Sequence, residues 1–119
     1  MDNKGKFSVG QIFQDKLHID EQLLERFADL SGDRNPIHLD GHEALSYGYS
    51  KRVAHGVLSL ALLSRLVGVK IPGPGAIWLE NQIQWIAPVF VGDDIVMTAT
   101  VKGVSSSVEI GRASCRERV

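Results

Sequence analysis

Two side chains able to move protons, Asp33 and His38, lie five residues apart in the run Phe27-Ala28-Asp29-Leu30-Ser31-Gly32-Asp33-Arg34-Asn35-Pro36-Ile37-His38. A carboxylate and an imidazole can serve as general base and general acid only if both reach one point. An unbroken helix would keep them apart, because five residues turn it by about 140° beyond a full turn. The Asn-Pro step removes that constraint. Pro36 fixes its own φ and pushes Asn35 out of the helical region, so the two side chains can converge. The same run also reads as an ordinary turn, in which Asp and Asn bond their own backbone and Pro presets the bend. Asp33 would then be a cap and His38 a satisfied surface histidine.

The elements that must position this run follow from periodicity. Residues 7–12 alternate and predict a strand, with 16–19 as its partner. Asp20 is placed to cap a helix over 21–30 that carries Leu23, Leu24, Phe27 and Leu30 on one stripe, with Gly32 to end it. A short helix within a longer functional loop is predicted over 40–48. Residues 56–67 are apolar around most of a helix circumference, which predicts a buried helix stopped at Gly68. Pro72-Gly73-Pro74-Gly75 breaks the chain. The period then changes to two. Ile77, Leu79, Ile83 and Trp85 share one face of a strand over 76–85. A second strand, 95–101, places Ile95, Met97, Ala99 and Val101 opposite Val96, Thr98 and Thr100. A long buried helix followed by antiparallel-type strands predicts an α+β domain.

Other residues have competing readings. Gly56 opens the buried helix, where a backbone N–H lacks an intrahelical partner and sits at the positive dipole end. That suits an oxyanion donor, and it is also what any helix-start glycine offers. Asn35 is placed to support the loop or a water through its amide. Ser64 lies eight residues past Gly56, about two turns along. His55 fits a structural role in the turn before Gly56, and His18 an exposed strand position. The trio His38, Asp40 and His42 has a zinc-like spacing, but Pro36 and Gly41 disfavour a regular helix there and no third ligand is suitably spaced, so no metal is expected. Trp78 and Trp85 read as core or interface residues.

Composition narrows the class. A chain of 119 residues suits one domain, and 44% apolar with 23% charged residues is ordinary for a soluble globular protein. A net charge of −1 without a basic run argues against a nucleic-acid partner. The longest apolar stretch, 57–69, is too short and too interrupted to span a bilayer. Met1-Asp2-Asn3-Lys4-Gly5 lacks the layout of a signal peptide, so a cytoplasmic location is expected. No glycine-rich phosphate loop is present. The single cysteine, Cys115, has no internal partner. It falls within Glu109-Ile110-Gly111-Arg112-Ala113-Ser114-Cys115-Arg116-Glu117-Arg118-Val119, which reads as the conceptual translation of a short-read sequencing adapter.

The run from Phe27 to His38, with Ala44 following at a fitting distance, closely resembles the signature of MaoC-like (R)-specific enoyl-CoA hydratases. Ala54-His55-Gly56 at the start of an apolar helix and Pro88-Val89-Phe90-Val91-Gly92-Asp93 between strand-like segments match in the same order. The resemblance covers about residues 9–104. It implies the hot-dog fold, an antiparallel sheet wrapped around a long central helix. It implies Asp33 and His38 as the catalytic pair, Gly56 as the oxyanion donor, and Ser64 as a pocket serine. It also implies a coenzyme A thioester held as substrate across a homodimer interface, without a further cofactor. Related chemistries that fit the same resemblance are 3-hydroxyacyl-[acyl-carrier-protein] dehydration, a hot-dog thioesterase and a non-catalytic binding module. Family members continue with about two more strands. The expectation is therefore a MaoC-like domain over 1–108, lacking its C-terminal strands, followed by a foreign tail over 109–119.

Overall fold

The computed structural model describes residues 7–104 and the backbone of 111–118. Strand β1 (Ile12–His18) is followed by helices α1 (Glu21–Ser31), α2 (Pro36–Leu39), α3 (Gly41–Ser46) and α4 (Gly56–Val69), then by strands β2 (Asp94–Val104) and β3 (Gly111–Arg118). The strands form one antiparallel sheet in the order β1-β2-β3. Helix α4 packs on its inner face, giving the α+β hot-dog architecture expected from the sequence.

Strand β2 is the centre of the sheet. Its alternation places Ile95, Met97, Ala99 and Val101 inward, all buried. These side chains meet α4 in two clusters. Ile95 and Met97 join Ile19, Leu24, Ala54 and Leu58, while Ala99 and Val101 join Leu66 and Ile71. The inner face of β1 also carries Asp15, whose Oδ2 accepts from Arg65 Nε at 2.9 Å and Nη2 at 2.7 Å. That ion pair ties α4 to the strand beneath it and holds the Asp15 carboxyl below its ordinary 3.8. On the outer face His18 pairs with Asp94 at 2.7 Å across the β1–β2 ladder.

The capping residues behave as their chemistry dictates. Asp20 Oδ1 accepts from Leu23 N at 2.8 Å and starts α1. Gly32 adopts φ 78° and ends it, its N–H bonding Ala28 O at 2.8 Å.

Several expectations are corrected. Residues 7–12 and 16–19 are not two strands: a turn at Gly10 (φ 91°) precedes one continuous strand, β1, whose partner is the distant β2. Of the first segment only Ile12 joins β1, which runs on through residues 16–18. In α1, Leu24 and Ala28 form the buried line. Leu30 is 83% exposed, because it continues the half-buried line of Leu23 one turn beyond the core. Helix α4 passes through Gly68 and ends at Val69, with Lys70 as its C-cap two residues before Pro72. Its burial is one-sided: Leu58 and Leu66 are buried and Val57, Ala61 and Val69 exposed, since the sheet covers only one flank. Residues 76–85, expected as a strand, join no ladder among the described residues. Alternation supplies the faces of a strand, but a strand also needs a hydrogen-bonded neighbour.

Gly111–Arg118 pairs with β2 from Val104↔Gly111 to Val96↔Arg118, with an irregularity between Val101 and Gly103. This pairing uses main-chain groups, which every sequence supplies, and does not bear on the origin of the tail. The remainder of the expected tail lies outside the described residues.

Candidate active site

The loop after α1 is built by short-range hydrogen bonds from the residues the sequence run contains. Ser31 Oγ donates to Phe27 O at 2.7 Å and accepts from Asp33 N at 3.0 Å. Asp33 Oδ1 accepts from Asn35 N at 3.2 Å, and Asn35 Oδ1 accepts from Ile37 N at 3.3 Å. Asn35 is thus the N-cap of α2, with Pro36 at its first position. The bend falls where Asn-Pro predicts it. Beyond α2, Asp40 caps α3 by accepting from His42 N at 2.8 Å and Glu43 N at 3.4 Å. Both bonds use Oδ1, and among the described residues the ligand atoms of His38, Asp40 and His42 do not come together as a group.

His38 is 7% exposed. Its Nδ1 lies 2.6 Å from Val53 O. A carbonyl only accepts, so Nδ1 carries the proton. In the neutral ring Nε2 is then a bare acceptor. That nitrogen faces Asp33 Oδ2 at 3.9 Å, and the Asp33 side chain is half exposed. The gap is too long for a direct hydrogen bond. A water at about 2.8 Å from both atoms would sit at the apex of a triangle on this base and donate one hydrogen to each. Two acceptors facing one water is an arrangement for taking its proton.

The same pair is braced from behind. His55, 2% exposed, stacks on His38 with ring centroids 3.8 Å apart and planes inclined by 25°. Its Nε2 lies 2.9 Å from Asp33 O and so donates to it. Phe27 meets the His55 ring edge-on at 4.9 Å. Burial lowers the His55 imidazole below its ordinary 6.5, a shift the bond to Asp33 opposes and the neighbouring His38 reinforces. Arg52, also buried, donates from Nε to His38 O at 2.8 Å, with Glu21 and Glu25 of α1 at 4.0 and 3.9 Å from its guanidinium. The sequence reading missed Arg52 and gave His55 only a turn. Their contacts span 14 and 22 residues, and the one local sign was a basic residue and an imidazole flanking Val53-Ala54.

His38, Ala54, His55, Gly56, Ser59 and Trp85 line a cleft of about 310 Å³, together with Val53 and residues 86–89. Gly56 is the first residue of α4. Its N–H has no acceptor among the described residues, as expected at a helix start. Trp85 Nε1 donates to Gly56 O at 3.0 Å, and a β-carbon on Gly56 would come within 3.2 Å of the indole. The structure thus sets Asp33 beside His38, and His38 and Gly56 on one cleft. It does not bring in the other two candidates. Asn35 turns to its capping role and lines a separate depression with Ile37, Tyr47 and Tyr49. Ser64 is exposed away from the cleft. Eight helical residues rotate it by about 80° from Gly56, whereas Ser59, three residues on, faces the cleft.

Potential ligand atoms of Asp33, His38 and His55 lie within 4.8 Å of one another. In each neutral ring one nitrogen donates to a carbonyl, which leaves Nε2 of His38 and Nδ1 of His55 as the acceptor atoms of this group.

Residues 7–116 match the family described as "MaoC like domain". A 3-hydroxybutyryl-CoA dehydratase of Methylorubrum extorquens is 36% identical over 100 residues, covering 84% of this chain and 64% of the relative. An (R)-specific enoyl-CoA hydratase of Rhodospirillum rubrum is 40% identical over 86 residues, covering 72% and 60%. The chain thus spans less than two thirds of the length of these relatives. Among solved structures, an (R)-hydratase from A. caviae superposes with a TM-score of 0.91 at 31% identity, over 95% of this chain and 86% of that one. An R-hydratase from Pseudomonas aeruginosa gives 0.87 at 37% identity, over 93% and 71%. Among the described residues no helix is long and apolar enough to cross a membrane.

Proposed function

The chain belongs to the MaoC-like domain family, and from that membership we propose that it adds water reversibly to 2-enoyl-CoA, forming (R)-3-hydroxyacyl-CoA. The observation that carries the proposal is the bare Nε2 of His38 facing the Asp33 carboxylate across 3.9 Å. The water held there attacks C3 of the enoyl thioester as the pair removes one of its protons. The pair returns one proton to C2, so the net change is the addition of one water across the double bond. We take Asp33 as the base toward water and His38 as the group that orients water and relays the proton. Negative charge builds on the thioester oxygen during attack, and the free N–H of Gly56 at the positive end of α4 is placed to stabilise it.

Coenzyme A enters this scheme as part of the substrate. The proposed working unit is a homodimer, supported by the outward apolar side chains of residues 77–86 beside the cleft. A cytoplasmic location goes with this reading, because coenzyme A thioesters are made and consumed inside the cell. The test is product analysis after incubation with crotonyl-CoA. (R)-3-Hydroxybutyryl-CoA is expected. Free coenzyme A would identify a thioesterase, and turnover of only the carrier-protein thioester would move the substrate to acyl-carrier protein. The (S) alcohol would contradict the stereochemistry.

A further inference from the structure

The Asp33–His38 gap has to be maintained by something other than the two side chains themselves. The Asp33 carboxylate is half exposed, and one of its oxygens is engaged by Asn35 N at 3.2 Å. The His38 ring is anchored at Nδ1 by Val53 O, a contact that leaves rotation about that bond to be limited by its neighbours. Among the described residues, the side chain that touches both members is His55. It reaches Asp33 through a hydrogen bond to the main-chain carbonyl and His38 through the face of its ring.

From these contacts, and resting on the hydratase reading above, we infer that His55 is a positioning residue for the catalytic pair: its Nε2–H pins the Asp33 carbonyl while its ring backs the imidazole of His38. The required tautomer is set by the acceptor, since only a protonated Nε2 can bond a carbonyl oxygen. Nδ1 is then bare, and it is buried without a hydrogen-bond partner. Protonating it would create an unpaired buried N–H and a buried cation, both unfavourable. Phe27, edge-on to the ring, supplies an apolar neighbour and no acceptor. The surroundings therefore hold His55 in one tautomer, and this keeps the donor aimed at Asp33.

The role separates into a donor and a flat ring, and two substitutions divide them. His55→Gln places an amide N–H near the position of Nε2, keeping the donor. His55→Phe keeps a ring against His38 and loses the donor. The variants and the wild type are compared on crotonyl-CoA in the full-length protein, with thermal melts in parallel. His55→Phe should lower kcat roughly 10-fold or more, since a displacement of about 1 Å can cost about 10²-fold, with KM changed less than about 2-fold. His55→Gln should recover most of that loss. Wild-type kcat in His55→Phe, a loss that Gln does not restore, or KM rising in step with falling kcat would overturn the role. Nitrogen NMR of the wild-type ring decides the question without any variant. At pH 6.5, where an ordinary imidazole is half protonated, His55 should show a protonated Nε2 and a bare Nδ1. The opposite tautomer or a doubly protonated ring would overturn it. A wild type inert toward enoyl and hydroxyacyl thioesters would overturn the hydratase reading itself, which these variant comparisons by themselves leave standing.

Discussion

The proton on His38 Nδ1 decides what the rest of that ring can do. Bound to Val53 O, it leaves Nε2, the acceptor of the neutral ring, turned toward Asp33. His38→Ala removes that acceptor and should lower kcat by roughly 10²-fold or more, the scale of general acid–base catalysis. KM should change much less, because His38 has no part in holding coenzyme A in this scheme. Adding Asp33→Asn to His38→Ala should cost little further, as for groups that act as a unit. Steady-state kinetics of His38→Ala and of the double variant checks these statements. At this scale the sequence was informative where the chemistry was local. Asp33, Asn35 and Pro36 dictate their bend through bonds spanning two residues, and Gly56 its free N–H through helix geometry. Arg52 and His55 were not legible as partners of the pair, because no spacing rule links residues that meet only when the start of α4 packs behind the loop.

The elements hold the site through the packing of α4 on the sheet. Leu66 is fully buried among Ile71, Ala99 and Val101. Leu66→Ala should therefore destabilise the fold by about 2–5 kcal/mol, the usual cost of a buried leucine truncation. A shift in the denaturant midpoint at unchanged slope measures it. Removing the α1 cap by Asp20→Ala should cost about 1 kcal/mol by the same measurement. Acid sensitivity belongs to this scale as well. The folded His55 value lies below 6.5, so well above pH 6.5 the ring is neutral in both folded and unfolded chains. As the pH falls below 6.5, the unfolded chain takes up a proton that the folded chain refuses, and stability drops until the folded value is passed. Asp15, held below 3.8 mainly by its bonds to Arg65, adds a second loss at more acid pH, as its folded carboxylate is protonated. The melting temperature should fall on acidification from pH 6.5, and His55→Gln should flatten the first part of that fall. Helices α1 and α4 and strand β2 were readable from caps and periods. Leu30 and Gly68 were misread because the pattern says which line a residue occupies, and only the packed neighbours say how far the core extends along it.

Over the whole molecule, the apolar surface left outward is the feature that asks for a partner. Ile77, Leu79 and Ile86 are 80%, 74% and 89% exposed, and Ile86 with Trp85 lines the cleft. Contiguous exposed apolar surface of this kind marks association sites. Sedimentation should find self-associated chains, and replacing Ile77 and Ile86 with Lys should shift them toward monomer. A wild type that is monomeric at micromolar concentration would remove the homodimer from the scheme. The period-two pattern of residues 76–85 announced a strand's two faces, but not what lies against them, since neighbours across a sheet leave no mark on the strand's own period. The measurement closest to the central claim is the turnover of crotonyl-CoA by Asp33→Asn. Asparagine keeps the shape and the hydrogen bonds of the side chain and cannot take a proton from water. The account predicts kcat lowered by roughly 10²-fold or more in a variant that melts like the wild type. Turnover by folded Asp33→Asn at the wild-type rate would contradict it.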